Sequence, residues 1–154
     1  MKFWPFTTLL PLILTACTSS PIVKAQLDEE VNRLCAIDGG IKVYETVKLP
    51  PEKFNKWNQV NFDVLREERK KFDSEYYYTH TILYYRKGNP ELYRSHFKLF
   101  KSHDNVLLGE TITYGRRGGD MVGPWHESYY RCPPAADISN LKQSVFVPSA
   151  GREK

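Results

Sequence analysis

Four histidines, His80, His96, His103 and His126, are the side chains best suited to acid–base or metal chemistry in this chain. His80 and His96 fall in two runs that read as neighbouring strands, without standing directly opposite each other. A metal centre there would need a third ligand, from His126 or an acidic residue, and no HExxH spacing is present. Ser95-His96 and Ser102-His103-Asp104 hold the residue types of nucleophilic hydrolysis. Adjacent strand residues point to opposite faces, however, and no GxSxG elbow occurs. Glu110, Asp120 and Glu127 offer carboxylates for glycoside cleavage, a chemistry decided by their separation. Gly115-Arg116-Arg117-Gly118-Gly119-Asp120 could cradle an anion between backbone amides, Arg116 and Arg117. It lacks the phosphate-loop lysine pattern, and a glycine-rich turn leaving a strand is the simpler reading. Tyr76, Tyr78 and Tyr84 share one face of a strand, Tyr77 and Tyr85 the other. Both sets cannot be buried against one helix. Either the sheet is covered on both sides, or it shows aromatic surface suited to protein partners and sugar rings.

The elements that must carry these residues begin with an N-terminal segment of another kind. Lys2 is followed by a nearly charge-free apolar run from Phe3 to Ala16, interrupted by Pro5 and Pro11 and ended by polar Thr18-Ser19-Ser20. A membrane-spanning helix needs about 20 apolar residues, so the pattern is that of a secretory signal over residues 1–16. Leu14-Thr15-Ala16-Cys17 resembles the lipobox of bacterial lipoproteins, in which the cysteine takes diacylglycerol as a thioether and becomes the mature N-terminus. That resemblance implies acylation at Cys17, and Thr18 rather than Asp after it implies the outer membrane. With Cys17 lipidated, Cys35 and Cys132 have one possible pairing, and an oxidising periplasm favours the bond. A net charge of +4 is too mild to argue for nucleic acid.

Residues 17–23 read as a lipidated tether and 24–134 as a single domain, with a flexible tail over 135–154. Leu27, Val31 and Leu34 recur at helical spacing, with Asp28-Glu29-Glu30 near the expected start, Arg33 near the end and Gly39-Gly40 as the stop. Ile41 to Val47 alternates as a strand, and Glu52 to Trp57 reads as one helical turn bringing Phe54 and Trp57 together. Asp63 to Lys71 reads as a solvated loop or short helix. Tyr76–Arg86, Leu92–Lys101 and Val106–Tyr114 then form three strands, separated by Gly88-Asn89-Pro90 and Asp104-Asn105 turns. Leu108, Ile112 and Tyr114 align on one face of the last. The expected fold is α+β, an N-terminal helix packed on an antiparallel sheet of about four strands, with one disulfide.

The segment Cys35-Ala36-Ile37-Asp38-Gly39-Gly40-Ile41-Lys42-Val43-Tyr44-Glu45-Thr46-Val47 carries a wider likeness, together with Tyr114–Asp120 and Arg131-Cys132-Pro133. It resembles a group of small uncharacterised proteobacterial lipoproteins over most of the mature chain. The resemblance implies export and the disulfide, and carries no site residues. The expected function is a lipid-anchored, non-catalytic envelope protein that binds a protein partner and needs no cofactor or metal. Its candidate contacts are Tyr76, Tyr78, Tyr84, Arg116 and Arg117. Two alternatives stand beside it: an enzyme acting on envelope glycans or lipids through His96 or His126, and an inhibitor of a lytic enzyme.

Overall fold

The computed structural model describes residues 21–120 and 126–149; the signal segment and Cys17 lie outside them. The chain runs α1 (Pro21–Asp38), β1 (Gly40–Val43), β2 (Val47–Leu49), β3 (Leu65–Arg66), β4 (Tyr76–Arg86), β5 (Glu91–Lys101), β6 (Leu107–Arg117), β7 (Tyr129–Cys132), α2 (Ile138–Val145) and β8 (Phe146–Pro148). The class is α+β with a Cys35–Cys132 disulfide, Cα atoms 5.8 Å apart. It is richer than expected. Among the described residues two α-helices are present, and the main sheet is mixed and six-stranded, in the order β1-β6-β5-β4-β3 with β7 also on β6. The expected four antiparallel strands miss β7, antiparallel to the end of β6, as well as β3, which runs parallel to β4, and the separate parallel pair β2–β8. Such short pairings have no local signature, because the partner strand and not the sequence pattern makes them.

The long antiparallel meander β4–β5–β6 is the frame, each strand 11 residues long. β1 lies along the first half of β6, pairing residues 109–112, and β7 along the second, pairing 114–117. α1 covers the second half: Val31 and Cys35 pack with Leu92, Ile112 and Tyr114, with Leu27 and Leu34 partly buried beside them. The helix starts at Pro21, inside the segment expected to be tether, and proline suits a first helical position because its missing N–H has no intrahelical partner there anyway. Asp28 to Glu30 therefore lie in the middle of the helix rather than in its first turn, and Arg33 lies short of the last. Those charges serve side-chain pairs instead of the dipole. Glu30 binds Arg33 through two hydrogen bonds, and Asp28 binds Arg116.

The opposite face holds the larger core, built from Val64, Tyr76, Leu99, Leu108, Leu141, Val145 and Phe146. Three of these seven lie beyond Ala135, so the expected flexible tail is wrong over 136–148. Asp137 caps α2 by accepting from the Asn140 amide at 2.9 Å, and Leu141 and Val145 at (i, i+4) fall on the sheet. The period was present but spans only eight residues, too short to stand out. α2 comes close because residue 109 is glycine: a Cβ there would sit 3.1 Å from both Leu141 Cδ1 and Val145 Cγ2. Leu108 also departs from expectation. A bulge between Leu99 and Phe100 shifts the register, and Leu108 joins the α2 side while Ile112 and Tyr114 face α1. Trp57 is exposed and Phe54 packs on the core, so the expected turn is shorter, Pro51–Lys53, and does not bring them together. Among the described residues no helix is long and apolar enough to cross a membrane.

Candidate functional site

α1 ends before it reaches the β4–β5 side of the sheet. On that uncovered face, alternation along β5 points Arg94, His96 and Lys98 outward together, with Thr79, Thr81 and Leu83 of β4 beside them. These six residues line a shallow groove of about 160 Å³. Behind it lies a continuous chain of polar contacts. The Tyr44 hydroxyl donates to Glu110 Oε1 at 2.6 Å, and His96 Nε2 lies 2.7 Å from Glu110 Oε2. His96 Nδ1 lies 3.4 Å from Arg94 Nη1. Arg94 Nη2 donates to Asp38 Oδ2 at 3.0 Å and Nε to the Tyr114 hydroxyl at 3.2 Å, while that hydroxyl donates to Asp38 Oδ1 at 2.6 Å. Asp38 is the last residue of α1. The helix that closes one half of the face thus supplies the carboxylate that orients Arg94 in the other.

The protonation states follow from these partners. Burial lowers the His96 pKa more than the Glu110 hydrogen bond raises it, so the ring is neutral near pH 7. A carboxylate accepts only, so Nε2–H donates to Glu110 and the Nδ1 lone pair faces the Arg94 N–H. Burial alone would raise Glu110 and Asp38. The Tyr44 and His96 bonds outweigh it for Glu110, the Tyr114 and Arg94 bonds for Asp38, and both carboxyls are held below their ordinary range. Burial, then the Asp38 bond, pushes Tyr114 well up. Both ring nitrogens of His96 are therefore engaged by protein groups. A general base needs its free nitrogen aimed at substrate; this one is aimed at a guanidinium.

The other candidates are dispersed. His80 stacks on Phe97, ring centroids 3.9 Å apart, and its Nε2 lies 2.9 Å from Ser95 Oγ. Ser95 and His80 lie on the face opposite His96, so the adjacent Ser95-His96 pair makes no dyad. His103 lines a separate hollow with Lys70, Phe72 and Lys101, and His126 is exposed in the approach to β7. Among the described residues no three or more His, Cys, Asp or Glu side chains are placed to hold a metal ion. Of the three carboxylates considered for glycoside chemistry, Glu110 is bound to His96, Asp120 to Lys24 at 2.6 Å, and Glu127 lies 3.9 Å from Arg117.

The glycine-rich stretch is no anion cradle. Arg116 is 2% exposed; its Nε donates to Asp28 Oδ1 at 2.6 Å and its Nη1 to the Gly118 carbonyl and Ser128 Oγ. The loop amides are occupied too, Gly118 N by the Ser128 carbonyl and Gly119 N by Asn89 Oδ1. Both glycines hold positive φ, 83° and 84°, which a side chain would strain. The Lys24 bond and two bonds from Ser128 keep the Asp120 carboxyl far below its usual range. Arg117 projects to the other face and pairs with Glu91 at 2.9 Å. The tyrosines divide along the strand rather than between its faces. Tyr76 and Tyr77 are 7% and 6% exposed, Tyr78 is half-buried against the core, and Tyr84 and Tyr85 are 40% and 49% exposed. Tyr76, Tyr78 and Tyr84 accordingly form no common exposed patch.

Arg94 and Lys98 escaped the sequence reading, although a signal was there. Placing Tyr93, Phe97 and Leu99 on one side of β5 leaves Arg-x-His-x-Lys at a period of two on the other. Compared with protein-family models, curated proteins and solved structures, the chain matches none.

Proposed function

We propose that this chain is a lipid-anchored protein of the bacterial envelope, acylated on Cys17 and held at the periplasmic face of the outer membrane, whose domain binds another envelope protein without catalysis. The observation that carries the binding reading is the outer edge of β4. β3 pairs only with Tyr77 and Tyr78, and Arg66 donates to the His80 carbonyl at 3.1 Å. From Thr81 to Arg86 no strand covers that edge among the described residues. Ile82, Leu83, Tyr84 and Tyr85 are each at least 40% exposed there, on both faces of the strand. A long apolar edge with unpaired amides and carbonyls is avoided in proteins that stay alone, and is the template on which a partner's extended segment adds as a strand.

Crosslinking of the full-length lipoprotein in its native host, with a photoreactive residue in place of Leu83, tests this. The expected result is one envelope protein captured from Leu83, and none when the reactive residue replaces Lys48 on β2. A Leu83→Lys charge on the edge should abolish a pull-down of the same protein. Capture unaffected by Leu83→Lys, or no capture at all, overturns the reading. Metabolic palmitate labelling that survives Cys17→Ser would overturn the anchor.

A further inference from the structure

We propose that the Arg94–His96–Lys98 groove on the α1 side of the sheet is a binding site for a phosphate group. Four features carry it. The first is preorganisation: Asp38 and Tyr114 fix two nitrogens of the Arg94 guanidinium and His96 Nδ1 meets the third, Nη1, at 3.4 Å, so the fork is held and Nη1 has a second N–H to offer in the groove that Arg94 lines. An arginine positioned by a carboxylate behind it loses little freedom when it meets an oxyanion. The second is Lys98. This residue lines the same groove, and its ammonium forms no hydrogen bond or ion pair among the described residues, even though Glu110 is its cross-strand partner. That carboxylate is already taken by Tyr44 and His96. The third is the opposite wall, lined from β4 by two hydroxyl-bearing residues, Thr79 and Thr81. A guanidinium, an ammonium and two hydroxyl-bearing side chains on opposite walls suit the three or four oxygens of a phosphate, which accepts from several directions at once and carries more charge than a single carboxylate. The fourth is size. About 160 Å³ is well below the volume that holds a drug-sized ligand, and matches one compact head group rather than a whole cofactor.

The phosphate could belong to a soluble molecule or to a lipid headgroup. Leu83 borders both the groove and the β4 edge, but this inference does not rest on that edge, whose test reads protein capture while this one reads phosphate.

The test is a titration of the full-length chain in neutral detergent with sodium phosphate, against sodium chloride at matched ionic strength, following the imidazole resonances. Saturable perturbation of His96 by phosphate is expected, weakened at least tenfold in Lys98→Gln and in Arg94→Gln and unchanged in Arg117→Gln, which removes the same charge elsewhere. Lys98→Gln is the decisive variant, since no hydrogen bond among the described residues depends on that side chain. Co-sedimentation with phosphatidylglycerol vesicles, and with phosphatidylcholine vesicles as control, separates the sources. Response to inorganic phosphate supports a soluble ligand. Vesicle binding that is selective for phosphatidylglycerol and lost in Lys98→Gln supports a headgroup. No saturable response in either arm, or an equal loss in Arg117→Gln, overturns the proposal.

Discussion

Arg94 and Arg116 rise from neighbouring strands on the same face of one sheet, yet they do opposite things. Arg116, 2% exposed, lies under α1 and is surrounded by Asp28, the Gly118 carbonyl and Ser128. Arg94, 21% exposed, lies beyond the end of α1; the helix reaches it only through Asp38, and one side of its fork stays open to the groove. Residue type and strand face are the same. The difference is where a helix stops. A fully enclosed guanidinium is a structural cross-link between α1 and the β6–β7 loop, because removing any partner would strand a buried charge. A guanidinium held from behind but open in front is a recognition group.

The largest test of this contrast removes the latch that holds α1 over the covered half. The disulfide spans 97 residues, and the chain-entropy description assigns a loop of that size about 4.7 kcal/mol at most. Replacing Cys35 and Cys132 together by serine should lower the urea unfolding free energy by about 4 kcal/mol. A loss under about 1 kcal/mol would mean that packing alone holds the helix. Next comes Arg116→Met, expected to cost about 3 kcal/mol because Asp28 and the loop carbonyls lose their donor, with phosphate binding unaffected. Arg94→Gln should cost only about 1 kcal/mol in the same measurement, since its partners remain partly hydrated. If the two arginine variants destabilise equally, the distinction between cross-link and recognition group fails.

The smallest effect is on acid stability. Burial lowers the pKa of both His80 and His96, so the unfolded chain takes up protons first as pH falls through the ordinary histidine range near 6.5. Their contribution is complete above that pH and is lost as pH drops through the folded-state values. Asp38, Glu110 and Asp120 are also held low, so theirs is complete above the ordinary carboxylate range, near pH 4, and is lost only in stronger acid. The urea midpoint should therefore fall in two separated steps, and His80→Phe together with His96→Phe should flatten the upper one. An upper step that survives the double substitution would assign it to other groups.

Much of the scaffold was readable without coordinates. The helix at Leu27, Val31 and Leu34, the three long strands, their turns and the Cys35–Cys132 pairing are signals carried within short windows or by counting residues. The errors share a cause. Placing the helix start at the Asp28–Glu30 charges assigned to the dipole residues of which Asp28 pairs with Arg116 across space and Glu30 with Arg33 one turn along the helix. The short α2 was lost because eight residues give barely two turns of period, and its stability comes from Gly109, Leu99 and Phe146 rather than from itself.

For the site, the sequence by itself determined that Arg94, His96 and Lys98 share one face of a strand, because side chains alternate wherever the backbone is extended. Only the tertiary structure decided that this stretch of the face stays open. That depended on α1 ending at Asp38, on β6 bringing Glu110 and Tyr114 into register, and on a bulge sending Leu108 to the other side. Each is a contact between residues far apart in the chain. No local pattern encodes such contacts, because packing selects among them only once the whole sheet has formed.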